Sequence, residues 1–124
     1  MNHTAFFGDG EKTFALPSDQ ILELERKTGI GIGALYTRVL SGQFGFTDIT
    51  EVIRLGLIGG GTSPKDANAL VDAYAKPTPI IEAFQLAADI LETRWSGAAV
   101  APANSDLSAA LRTEIMEAYA DDPA

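Results

Sequence analysis

Few residues in this chain can carry chemistry, and their placement limits what they can do. The single histidine, His3, sits at the very start of the sequence. A Ser-His-Asp triad or a histidine-based metal site would have to recruit that position, so neither is expected. His3 reads instead as a surface residue beside the first strand. There is no cysteine, which removes disulfides, thiol nucleophiles, iron–sulfur clusters and Cys-type zinc sites. Gly29-Ile30-Gly31-Ile32-Gly33 has the glycine density of a phosphate-cradling loop. Such loops follow a strand and open a helix, whereas here a helical pattern precedes and no Lys-Ser/Thr pair follows. The segment reads as a helix end and a tight interhelical turn. Asp89 and Glu92 share one helix face, and with no apolar pocket to tune a carboxylate they are expected to be solvated. With no nucleophile–base constellation left, neither an enzyme activity nor a cofactor is expected.

The elements that would position any site come from periodicity. Asp9-Gly10 is a favoured two-residue hairpin turn, because both residue types accept positive φ. Pairing outward from it sets Phe7 opposite Lys12 and Ala5 opposite Phe14, with Ala5, Phe7, Phe14 and Leu16 on one face. A lone hairpin is marginal in water, so that face must pack on helices or on another copy. Five helices follow. Ser18 caps the first, which carries Ile21, Leu22 and Leu24 and stops at Gly29. The second has the stripe Ile32, Leu35, Tyr36, Val39 and Leu40. A third begins near Asp48, with Glu51 as capping-box partner, and buries Ile49, Val52, Ile53, Gly56 and Leu57 before Gly59-Gly60-Gly61. Ser63 and Pro64 open the fourth, with Ala67, Leu70, Val71, Tyr74 and Ala75 inside. Thr78 caps the fifth, with Pro79 in its first turn and Ile80, Ile81, Phe84, Ala88, Leu91 and Trp95 as its stripe; the aromatics are expected in the core. The fold class is mainly α with a short N-terminal β-hairpin, a small helical bundle. Residues 1–95 form the domain and residues 96–106 read as a flexible linker. Residues 107–124 carry a last amphipathic helix (Leu107, Ala110, Leu111, Ile115, Ala118) and an acidic tail.

Charge narrows the partners. With 17 acidic and 9 basic side chains the net charge is -8. The cations are scattered, with only Arg26-Lys27 adjacent, so nucleic-acid binding, which needs a basic patch, is not expected. No apolar run approaches the ~20 residues that span a bilayer, and the first residues lack the basic and apolar regions of a signal peptide. A protein partner and a cytoplasmic setting are expected. Arg54, off the buried stripe, reads as an exposed cation near a glycine-rich helix end. Three glycines exceed what one helix cap needs, which suggests a mobile hinge or a close backbone approach by a partner, beside the plainer reading as a loop.

Three segments give the chain a family likeness. They are the hairpin ending in Phe14-Ala15-Leu16; Leu22-Glu23-Leu24-Glu25-Arg26-Lys27-Thr28-Gly29 followed by Ile32-Gly33-Ala34-Leu35; and Ile53-Arg54-Leu55-Gly56-Leu57-Ile58-Gly59-Gly60-Gly61, the most specific. With helices ending near Ala87-Ala88 and Leu91, residues 4–95 resemble the tail assembly chaperones of gene transfer agents and siphovirus-like prophages. The resemblance implies a non-enzymatic helper that binds the tape measure protein, keeps it soluble in the bacterial cytoplasm, and leaves as tail tube subunits add, so that it is absent from the mature particle. Self-association would accompany such a role. The client-binding candidates are Arg54, Leu57, Gly59, Gly60 and Gly61 at the third helix end, and Leu107, Leu111 and Ile115 on the last helix. The competing reading is a structural tail or connector subunit, retained in the particle and joined through the exposed hairpin edge.

Overall fold

In a computed structural model the described residues are 1–97. Strands β1 (His3–Phe7) and β2 (Gly10–Phe14) form an antiparallel hairpin. Helices α1 (Ser18–Thr28), α2 (Ile32–Leu40), α3 (Phe46–Gly59) and α4 (Pro64–Leu70) follow; α4 runs into a π-helical turn (Val71–Ala75), and α5 (Ile80–Ser96) completes the bundle. The expected class, helical with an N-terminal hairpin, is the observed one. The expected last helix and most of the linker before it lie outside the described residues.

Helix α3 is the hub, in contact with α5, α1 and β2. Its stripe Ile49, Val52, Ile53, Gly56 and Leu57 is buried as the spacing predicts. Its start differs from expectation. The Asp48 carboxylate reaches back to the Gly45 N–H at 2.8 Å, so Asp48 sits in the first turn and the helix begins at Phe46. Glu51 is then free to pair with Arg54.

The hairpin register is shifted by two residues from the expected one. The pairs are Phe7 with Gly10, Ala5 with Lys12 and His3 with Phe14. The loop is Gly8-Asp9, and Gly8 alone takes positive φ, at 67°, the pattern of a type II′ turn with glycine first. A shift of two keeps every side chain on its face, so Phe7, Phe14 and Leu16 are buried and Ala5 half-buried, as expected. The strand extends back to His3, which pairs with Phe14 on the face shared with Ala5 and Phe7 and is buried.

Three helices, α5, α1 and α2, turn outward large apolar residues that the spacing places inside. In α5 the buried face is Ala83, Ala87, Ala88, Ile90, Leu91 and Thr93, while Ile80, Ile81 and Trp95 are exposed. Thr78 does not cap it: its hydroxyl donates to the Ala75 carbonyl at 3.1 Å, and Pro79 occupies the cap position. Likewise Pro17, not Ser18, caps α1. Leu22 and Leu40 face outward. Ser63 caps α4 as expected, accepting from the Asp66 N–H at 3.2 Å.

Candidate partner-binding groove

The hairpin lies where it does because α3 holds it by its backbone. The Ala15 N–H donates to the Gly56 carbonyl at 2.9 Å. One turn on, a Cβ on Gly59 would stand 2.0 Å from the Ala15 carbonyl oxygen, and one on Gly60 1.9 Å from that of Thr13. The glycine excess serves a close backbone approach, but the approaching backbone is the protein's own, at Thr13 and Ala15, and not that of a partner. From the other side, Arg94 Nε donates to the Leu16 carbonyl at 2.8 Å. Phe7 sets its ring edge-on to Phe14, at 6.1 Å, and to Tyr74, at 6.3 Å, and Tyr74 covers the turn glycine Gly8.

These contacts leave a groove of about 560 Å³ between β1, the π-helical turn and the first half of α5. Phe7, Ala75 and Ala83 form its buried floor. Phe6, whose side of the hairpin leaves it 76% exposed, adds apolar surface to one wall, and Tyr74 and Leu86 add more. Glu82 and Asp89 give the groove negative charge, and His3 Nε2 stands 4.0 Å from Asp89 Oδ2. An apolar trough edged by carboxylates suits an amphipathic helix or strand that carries basic residues along its flanks. Sequence reasoning missed it, because it treats His3 as a surface residue, Asp89 as merely solvated and Tyr74 as core.

The sequence-predicted site residues are not brought together as one surface. Arg54 is a half-buried ion-pair member: its Nε and a terminal nitrogen reach Glu51 Oε2 at 2.8 and 2.7 Å. It lines a different, polar depression with Lys27, Asp72 and Lys76. Leu57 is wholly buried in the core, and Gly59 and Gly60 are occupied by β2. Gly61 alone of this group is exposed. Leu107, Leu111 and Ile115 lie outside the described residues. Among the described residues no group of three or more His, Cys, Asp or Glu side chains could hold a metal ion, and no helix is long and apolar enough to cross a membrane.

Residues 1–97 match the model of the family described as phage tail tube protein, GTA-gp10. The chain belongs to this phage tail family. The match spans hairpin and bundle together, so the groove lies within the family's own unit. No curated protein and no solved structure matches the chain.

A second surface of this tail-family domain lies toward the other end of α5. Tyr36 and Trp95 stack with ring centres 4.1 Å apart and planes 2° from parallel. The Tyr36 hydroxyl donates to the Glu92 carboxylate, so Glu92 has a defined role instead of plain solvation. The hydrogen bond to Glu92, then burial and the carboxylate's charge, push the Tyr36 phenol up to about 12 from 10.0. A raised folded-state value means that the bond's contribution is complete below pH 10 and is lost as pH climbs through about 12. Tyr36→Phe, which keeps the ring on Trp95, is expected to cost about 1 kcal/mol at neutral pH. Urea unfolding across alkaline pH should show the wild-type advantage shrinking as pH rises from 10 toward 12.

Proposed function

We propose that this tail-family protein is a non-enzymatic assembly chaperone that binds the tape measure protein and keeps it soluble while the tail is built. The observation that carries the reading is the carboxylate-edged apolar groove on an acidic domain, a surface that suits apolar helical segments of a long client. The net charge of -8 would help to keep such a complex dispersed. On this reading the protein acts in the host cytoplasm, several copies coat one client, and tube subunits displace them.

The test is co-expression of the tagged protein with the tape measure protein of the same gene cluster. A soluble complex with several copies per client, against an insoluble client alone, is the expected result. No association, with the client equally soluble either way, overturns the proposal. Phe6→Glu should weaken the association about tenfold or more, as loss of an exposed aromatic anchor does. Its thermal midpoint should stay near wild type, because the side chain already faces solvent.

A second reading draws support from the family description, which names a tube protein, and from the hairpin, a two-stranded sheet whose edge could take a strand of another subunit. It makes the protein a structural tail or connector subunit. Mass spectrometry of purified particles separates the two: stoichiometric presence favours the subunit, absence the chaperone.

A further inference from the structure

The stacked pair Tyr36–Trp95 belongs to a small cleft of about 250 Å³, completed by Ile21, Ile32, Leu91 and Arg94. Trp95 is 55% exposed, and Leu22, next to Ile21, also faces outward. An indole left this open at the end of a helix invites a cover. Three observations say which. Helix α5 ends one residue beyond Trp95, and Gly97 takes the left-handed conformation, φ 76°, which turns the chain out of the helix direction. Residues 98–106 follow, rich in Ala, Pro, Asn and Ser, and can reach up to about 30 Å when extended. Residues 107–118 then carry apolar residues at helical spacing, Leu107, Ala110, Leu111, Ile115 and Ala118, a stripe with the chemistry to cover an apolar cleft.

We propose that residues 107–118 of the same chain dock on the Tyr36–Trp95 cleft. A tether of this length presents the segment at an effective concentration in the millimolar range, so even a weak apolar contact suffices. A second copy is the poorer occupant, because a specific interface takes roughly 20–30 residues a side and this cleft is made of six. The proposal is independent of the client reading, which concerns the groove at the other half of α5.

Trp95 is the only tryptophan, so its fluorescence reports the cleft directly in the full chain. Acrylamide quenching should rise about twofold or more in the full-length double variant Leu111→Asp, Ile115→Asp, since a covered indole is shielded from solvent-borne quencher. It should be independent of protein concentration in wild type. Equal quenching in both proteins, or protection that fades on dilution, overturns the proposal; the latter would mark a second copy. Because the chain has no cysteine, Leu22→Cys with Leu111→Cys gives a second measurement. An intramolecular disulfide in the monomer is expected, and none for Phe6→Cys with Leu111→Cys. Only intermolecular disulfides, or none, from the first pair would overturn it.

Discussion

Replacing Gly60 with alanine is expected to lower stability by about 3 kcal/mol or more, a large share of the roughly 5–15 kcal/mol that keeps a domain folded. The added carbon would lie 1.9 Å from the Thr13 carbonyl oxygen. That neighbour is backbone, held in the hairpin by its ladder with β1, and cannot rotate away as a side chain could. Either β2 lifts off α3 or the end of α3 unwinds. Both expose Phe14 and Leu16, which are buried in the core. The measurement is the urea midpoint, with Gly33→Ala as control. A Cβ at Gly33 meets nothing within 4 Å, so helix α2 should gain about 0.5 kcal/mol. An unchanged midpoint for Gly60→Ala would mean that the hairpin does not rest on α3.

Leu57→Ala carries the second large effect, a loss of about 3 kcal/mol. Leu57 is completely buried on the central helix, whose neighbours include α5 and α1, so truncation leaves a void walled by rigid elements. This separates the two meanings of the segment that includes it. A residue that serves the core shifts the urea midpoint and weakens client binding only through unfolding. A contact residue would leave the midpoint unchanged and weaken binding in the folded protein. The buried position predicts the first outcome.

Much of the architecture is legible in the sequence because most local signals agree with the packing. The α3 stripe, the Ser63-Pro64 start of α4 and the inner face of the hairpin are all read correctly from period and turn chemistry. The departures share one cause, which is that tertiary contact overrode the most visible local feature. In α5 the large residues Ile80, Ile81 and Trp95 dominate the pattern, yet alanines at 83, 87 and 88 are the residues buried there, since small side chains let that helix lie close to α3. In the hairpin, Asp9-Gly10 and Gly8-Asp9 are both acceptable turns, and the observed one sets buried His3 opposite Phe14. Tyr74 matches a 3.6-residue stripe, but the π-helical turn, closed by the Lys76 N–H on the Val71 carbonyl at 3.0 Å, widens the coil. It buries Val71 and Ala75 and leaves the Tyr74 ring over Gly8. The groove was illegible for the same reason: its walls come from β1, the π-helical turn and α5, which no sequence window contains together. The glycine triplet signals a close backbone approach, but nothing in its sequence tells a partner's backbone from the chain's own at Thr13 and Ala15.

The hairpin's anchors have a consequence for how the protein is made. Thr13 to Leu16 are tied to Gly56–Gly60 and to Arg94, so the hairpin leaves the ribosome before its partners at the middle and far end of the domain. At synthesis rates of about 5–20 residues per second, some 80 residues separate Leu16 from Arg94 by roughly 4–16 s. During that interval Phe7, Phe14 and Leu16 have no complete cover, and closing so long a loop is the slow, entropically costly part of folding. A tail-family domain built this way is itself exposed to aggregation as a nascent chain, and it gains its finished surface only once the last turn of α5 has been made.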